Sequence, residues 1–62
     1  MKGSELIRLL KKHDCFIMSH RSNHDEWYSP ITRNPFMVPR HFAKEIKNGT
    51  ANQILKDAGI KI

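Results

Sequence analysis

Arg21-Ser22-Asn23-His24-Asp25-Glu26-Trp27-Tyr28 carries the reading of the whole chain. Asn23 favours a turn, and Trp27 and Tyr28 favour a strand. The run therefore predicts a tight turn over Arg21, Ser22 and Asn23 that leads into a strand over His24 to Tyr28. Side chains alternate along a strand. If Trp27 faces the core, Asp25 shares its side, and His24, Glu26 and Tyr28 face outward.

Working outward from this run, Cys15 to His20 reads as a preceding strand, with Phe16 and Met18 on one face by the period of two. Ser29 to Asn34 holds Pro30, Thr32 and Asn34 and reads as a turn. Phe36, Met37 and Val38 form a third short strand between Pro35 and Pro39. Proline gives no ladder donor, so that strand belongs at a sheet edge or stops there. Before the strands, Ser4 to Lys12 predicts a helix with Ser4 as N-cap and Glu5 at the positive end of its dipole. Its apolar stripe is Leu6, Leu9 and Leu10, flanked by Ile7. His13 and Asp14 close it, His13 as a partner for the helix C-terminus.

Arg40 to Lys47 reads as an ordered crossing segment with room for one helical turn. Asn48-Gly49-Thr50 breaks the chain, and Thr50 with Gln53 has capping-box spacing, with Asn48 as the other cap. Ala51, Ile54, Leu55 and Ala58 make the apolar face of a last helix. Gly59 is placed as its left-handed cap, with Ile60 folding back. The expected fold is α+β: a helix, three antiparallel strands and a helix, with both helices on one face of the sheet. The expected core is Leu6, Leu9, Leu10, Phe16, Met18, Trp27, Phe36, Val38, Ile46, Ile54, Leu55 and Ala58.

With 62 residues, one domain is expected, burying only ~60% of its unfolded surface. There is no room for a nucleotide-binding fold or a deep cleft, so a complex cofactor enzyme is not expected. Eleven Lys and Arg against six Asp and Glu give a net charge of +5, which points to a polyanion, most simply nucleic acid. The single cysteine, Cys15, allows no internal disulfide and reads as a small buried apolar group at the head of a strand. No apolar stretch is long enough to span a bilayer, and the N-terminus lacks the apolar core of a signal peptide, so a cytoplasmic protein is expected.

His24 is the candidate for chemistry, because an imidazole moves protons near neutral pH without a cofactor. RNA brings its own nucleophile, the 2′-OH. A protein needs only to take its proton and stabilise charge on the phosphate. Arg21, Arg40 and Lys44 are candidates for the second task, and His41 for an accessory acid. His20 and His24 are four apart with Asp25 adjacent, but a turn lies between them and no further ligand completes a closed site, so no metal is expected. Lys44 and Lys47, ahead of the last helix, suit phosphate contacts, and Asn23 suits side-chain hydrogen bonds. Tyr28 could stack a base of a single strand. These residues serve equally a non-catalytic RNA-binding module. A further alternative is a subunit whose open sheet face meets another protein.

Met1-Lys2-Gly3-Ser4-Glu5-Leu6-Ile7, Ser22-Asn23-His24, Val38-Pro39-Arg40-His41, Lys44-Glu45-Ile46-Lys47-Asn48-Gly49-Thr50 and Ile54-Leu55-Lys56-Asp57-Ala58-Gly59-Ile60 follow one another in the order and spacing of the HicA toxins. The chain resembles this family of small mRNA interferases from bacterial and archaeal toxin–antitoxin pairs over nearly its whole length. The resemblance implies a fold like the double-stranded-RNA-binding domain, ribonuclease activity on mRNA, and neutralisation by a HicB-type antitoxin. It places the family's histidine at His24. That histidine usually follows Gly-Ser, whereas here Ser22 and Asn23 stand in those positions.

Overall fold

The computed structural model describes residues 1–40 and 44–61. The chain order is α1 (Gly3–Lys12), β1 (Phe16–His20), β2 (His24–Ser29), β3 (Asn34–Pro39) and α2 (Asn48–Asp57). The strands form one antiparallel sheet in the order β1-β2-β3. This is the α+β arrangement of helix, three-stranded sheet and helix expected above.

The central strand sets the faces. Along β2, Asp25, Trp27 and Ser29 are buried, while His24, Glu26 and Tyr28 are half-buried. Trp27 lies opposite Phe36 and Asp25 opposite Val38, and both β3 partners are buried with them. α1 adds Leu6 and Leu10, and α2 adds Ala51, Ile54 and Leu55. Cys15, Ile46, Ala58 and Ile60 complete the core. Leu9 and Ile7 pack against it while partly exposed. The indole Nε1 of Trp27 has no hydrogen-bond partner among the described residues.

β1 departs from the expected pattern. Phe16 and Met18 were expected in the core, yet each is 53% exposed. Phe16 pairs with Tyr28, and Ile17 pairs with Trp27. Since Trp27 takes the helix side, Ile17 must share it and Phe16 must face away. The register then shifts between Ile17 and Ser19, so Met18 is the extra residue of a β-bulge at the sheet edge. Cys15 is buried as expected but precedes the strand. β3 runs longer than expected and includes Pro35 and Pro39. It is the other edge strand, where a missing N–H removes no ladder bond.

The helix ends show which local signals prevailed. α1 starts one residue earlier than expected, with Lys2 rather than Ser4 at the N-cap. Lys2 bridges to Glu45, and the Gly3 N–H donates to the Lys44 carbonyl at 3.1 Å. That bond satisfies an orphan donor and moves the start. The Glu5 carboxylate accepts from the Lys2 N–H at 3.2 Å. At the other end His13 Nδ1–H donates to the Leu9 carbonyl, 2.9 Å away, and Asp14 takes φ 66°. The Cys15 N–H reaches Leu10 and the Asp14 N–H reaches Lys11, the two bonds of a Schellman cap. α2 begins after Lys47, so Asn48 and Thr50 lie inside the helix rather than capping it. The Ala51 N–H already bonds the Lys47 carbonyl, which leaves neither side chain at the boundary. Of the expected crossing segment from Arg40 to Lys47, residues 41–43 lie outside the described ones, and residues 44–47 form no helical turn, Glu45 instead bridging to Lys2.

Gly59 closes α2 as expected. It lies at φ 77°, with Ile60 N–H to Leu55 and Gly59 N–H to Lys56. The β2–β3 turn presses on this cap. The Ser29 hydroxyl donates to the Ala58 carbonyl at 2.5 Å and accepts from the Ile31 N–H at 3.2 Å. No helix among the described residues is long and apolar enough to cross a membrane.

A Cβ on Gly59 would meet the Cγ2 atoms of Ile31 and Thr32 at 2.8 Å, while one on Gly49 would meet nothing within 4 Å. Gly59→Ala is therefore expected to destabilise the fold by about 1–3 kcal/mol, adding steric conflict to the left-handed penalty. Gly49→Ala in the first turn of α2 is expected to stabilise by about 0.5–1 kcal/mol. Urea unfolding of the two variants checks the opposite signs; equal effects would contradict the packing.

Candidate functional site

The β1–β2 connection is the three-residue turn Arg21, Ser22 and Asn23, closed by the Arg21 N–H donating to the His24 carbonyl at 2.9 Å. Neither Ser22 nor Asn23 has positive φ, so Ser22 meets no backbone strain where the family has glycine. The hydrogen bond sets Arg21 opposite His24, one step beyond the His20–Asp25 pair. Arg21 and His24 therefore share the open face. Pro39 stands on the other side of His24.

The next row of that face is Ser19, Glu26 and Met37. The Glu26 carboxylate accepts from the Ser19 hydroxyl at 3.1 Å and from Arg21 Nη2 at 3.4 Å. The third row is Phe16, Tyr28 and Pro35. The rings of Phe16 and Tyr28 lie 5.4 Å apart, tilted by 36°. His24 is half-buried, and no side-chain hydrogen bond joins it to another described residue.

Beneath the turn lies a second set of polar groups. The Asp25 side chain is only 4% exposed. Its Oδ1 accepts from Arg40 Nε at 2.8 Å and from His20 Nδ1 at 2.8 Å. An ionised carboxylate has no proton to give, so His20 is the donor in that pair. Arg40 Nη2 also donates to the Arg21 carbonyl. One guanidinium thus ties the segment after β3 to the turn that carries His24. Burial, the largest single influence, pushes the Asp25 carboxyl up. Hydrogen bonds from His20 and Arg40, with their charges, outweigh it and hold the group below its ordinary value. The Cys15 thiol is pushed up, chiefly by burial, which makes it a poor nucleophile.

The structure brings together Arg21, His24 and Tyr28 on one face, with Asn23 exposed at the loop beside them. Arg40 reaches the same turn from below, partly committed to Asp25. Lys44 and Lys47 are exposed on another segment, beside Lys2 and at the head of α2. His41 lies outside the described residues. Among the described residues no group of three or more His, Cys, Asp or Glu side chains is placed to hold a metal ion. Two surface hollows, of about 340 and 250 Å³, are lined by residues at the end of α2 and along α1, and His24 lines neither. Sequence reading missed Phe16 as a face residue and missed the Asp25–Arg40 tie. The spacing of Asp25 from Trp27 was the one available signal for a buried carboxylate needing a cation.

Because the folded Asp25 value lies below the unfolded one, its contribution is complete above the ordinary carboxylate range. It is lost as pH falls through the folded value. Asp25→Asn should therefore lower the urea midpoint at neutral pH and flatten its acid dependence. Parallel pH curves for the two proteins would contradict this role.

No curated relative and no solved structure matches the chain. The family model described as HicA toxin of bacterial toxin-antitoxin matches residues 3–60. That span includes both helices, the whole sheet and the turn bearing His24, and it places the chain in the HicA family as the toxin of a toxin–antitoxin pair, with an antitoxin as its partner.

Proposed function

We propose that the protein is an mRNA interferase, an endoribonuclease in which His24 is the general base. The observation that carries this reading is the half-buried imidazole on the open sheet face, with Arg21 in the turn beside it, its N–H bonded to the His24 carbonyl. His24 takes the proton of a ribose 2′-OH. The freed O2′ attacks the adjoining phosphorus, and the bond from phosphorus to the 5′ oxygen breaks. The leaving oxygen takes up a proton. The products are a 2′,3′-cyclic phosphate and a 5′-OH, and no metal enters. Arg21 holds the phosphate and stabilises its extra charge. Arg40 adds charge from beneath the turn, and Lys44 and Lys47 hold RNA further from the scissile bond. Asn23 hydrogen-bonds the substrate at the loop.

The net charge of +5 favours a polyanionic substrate, and membership of a toxin family fits an activity that must be restrained. A HicB-type antitoxin is the proposed restraint, with an acidic surface that covers the basic one.

Incubation of RNA with the native chain and with His24→Ala, in chelator, tests the chemistry. The variant should lose about 10²–10⁴-fold in rate while retaining RNA binding, and the native products should end in cyclic phosphate. Fragments with 5′-phosphates and a magnesium requirement would reject the mechanism. RNA binding by both proteins with cleavage by neither would assign the chain to a non-catalytic RNA-binding module.

A further inference from the structure

The open sheet face carries more apolar surface than a solvent-facing sheet needs. Phe16, Met18 and Met37 are all strongly exposed on it or at its edge. Its rows differ in chemistry. Arg21 and His24 occupy the first, Ser19 and Glu26 the second, and the Phe16–Tyr28 pair the third. His24 and Tyr28 are four residues apart on one strand face, about 13 Å.

We infer that the Phe16–Tyr28 pair is a stacking platform for a base of single-stranded RNA, a nucleotide away from the phosphate held at Arg21 and His24. The inference rests on the proposed action on RNA and names its substrate class. Every base has a π-face, so an aromatic platform grips a strand without reading its sequence. The bases of a duplex are stacked on one another and are not free to lie on it. The rows suit the alternation of phosphate and base along a strand, with a cation for one phosphate at the turn end and aromatic rings for the base of a neighbouring nucleotide at the other. A dry protein interface needs a continuous apolar centre. Here the Ser19–Glu26–Arg21 hydrogen bonds cut across the face and favour a substrate that is itself alternately charged and apolar. The aromatic row lies at the far end of the face from the turn, so it contacts a neighbouring nucleotide rather than the reacting one.

The test uses a labelled single strand of 2′-O-methyl RNA, which lacks the nucleophilic hydroxyl, and a blunt duplex of the same sequence. Binding by native protein, Phe16→Ala, Phe16→Tyr and Ile31→Ala is followed by fluorescence anisotropy. Ile31 is an exposed apolar control away from these rows, 51% accessible. Phe16→Ala should weaken single-strand binding roughly five- to one-hundredfold. Phe16→Tyr should restore it, Ile31→Ala should leave it unchanged, and the duplex should bind more weakly than the single strand. Unchanged single-strand affinity in Phe16→Ala overturns the platform, as does a duplex that binds as tightly as the single strand. Cleavage of unmodified RNA separates the two claims. Phe16-dependent binding without cleavage by native protein would remove the nuclease and keep the platform. Cleavage with the same KM in Phe16→Ala would do the reverse.

Discussion

The parity of β2 is the constraint on which the rest depends. Its three inward residues are held in different ways. Trp27 fills the core, Ser29 bonds the C-terminal carbonyl of α2, and Asp25 binds Arg40 and His20. A slip of one residue would expose Trp27, strand the Asp25 charge and bury His24. The three anchors together fix the register, and with it the outward set of His24, Glu26 and Tyr28. The site is a consequence of packing on the other side of the sheet.

A chain this small has little room to enclose a substrate, and what it offers is an open sheet face with cations and rings in rows. The proposed RNA substrate suits such a surface because it brings its own nucleophile. In that proposal the protein needs to supply only a base, a cation and a grip. The Asp25–Arg40–Arg21 chain of contacts ties the short turn to the end of β3, and neither Ser22 nor Asn23 takes a positive φ there.

Much of this was legible from the residues. The alternation around Trp27 placed Asp25 inward and His24, Glu26 and Tyr28 outward, and the structure agrees. Gly59 was legible as a left-handed cap because few other residues accept that φ. β1 was misread, since the period of two gives two faces without saying which one Phe16 takes. That choice belongs to its pairing with Tyr28, a contact between distant residues, and the bulge at Met18 erases the period beyond it. The helix starts were misread for a similar reason. Backbone bonds from a remote segment to Gly3 supplied what Ser4 was expected to supply. Asp25 was placed correctly, but its ties to His20 and Arg40 depend on turn geometry that local pattern does not encode.

The central claim is that the His24 imidazole is where a ribose–phosphate linkage docks. The histidine ring signals of the protein, followed by NMR during titration with uncleavable single-stranded RNA, address it directly. The account predicts a saturable shift of the His24 ring signals, with His13, held against the α1 carbonyl of Leu9, left unmoved. A silent His24 ring, with the largest changes along α1 instead, would contradict it.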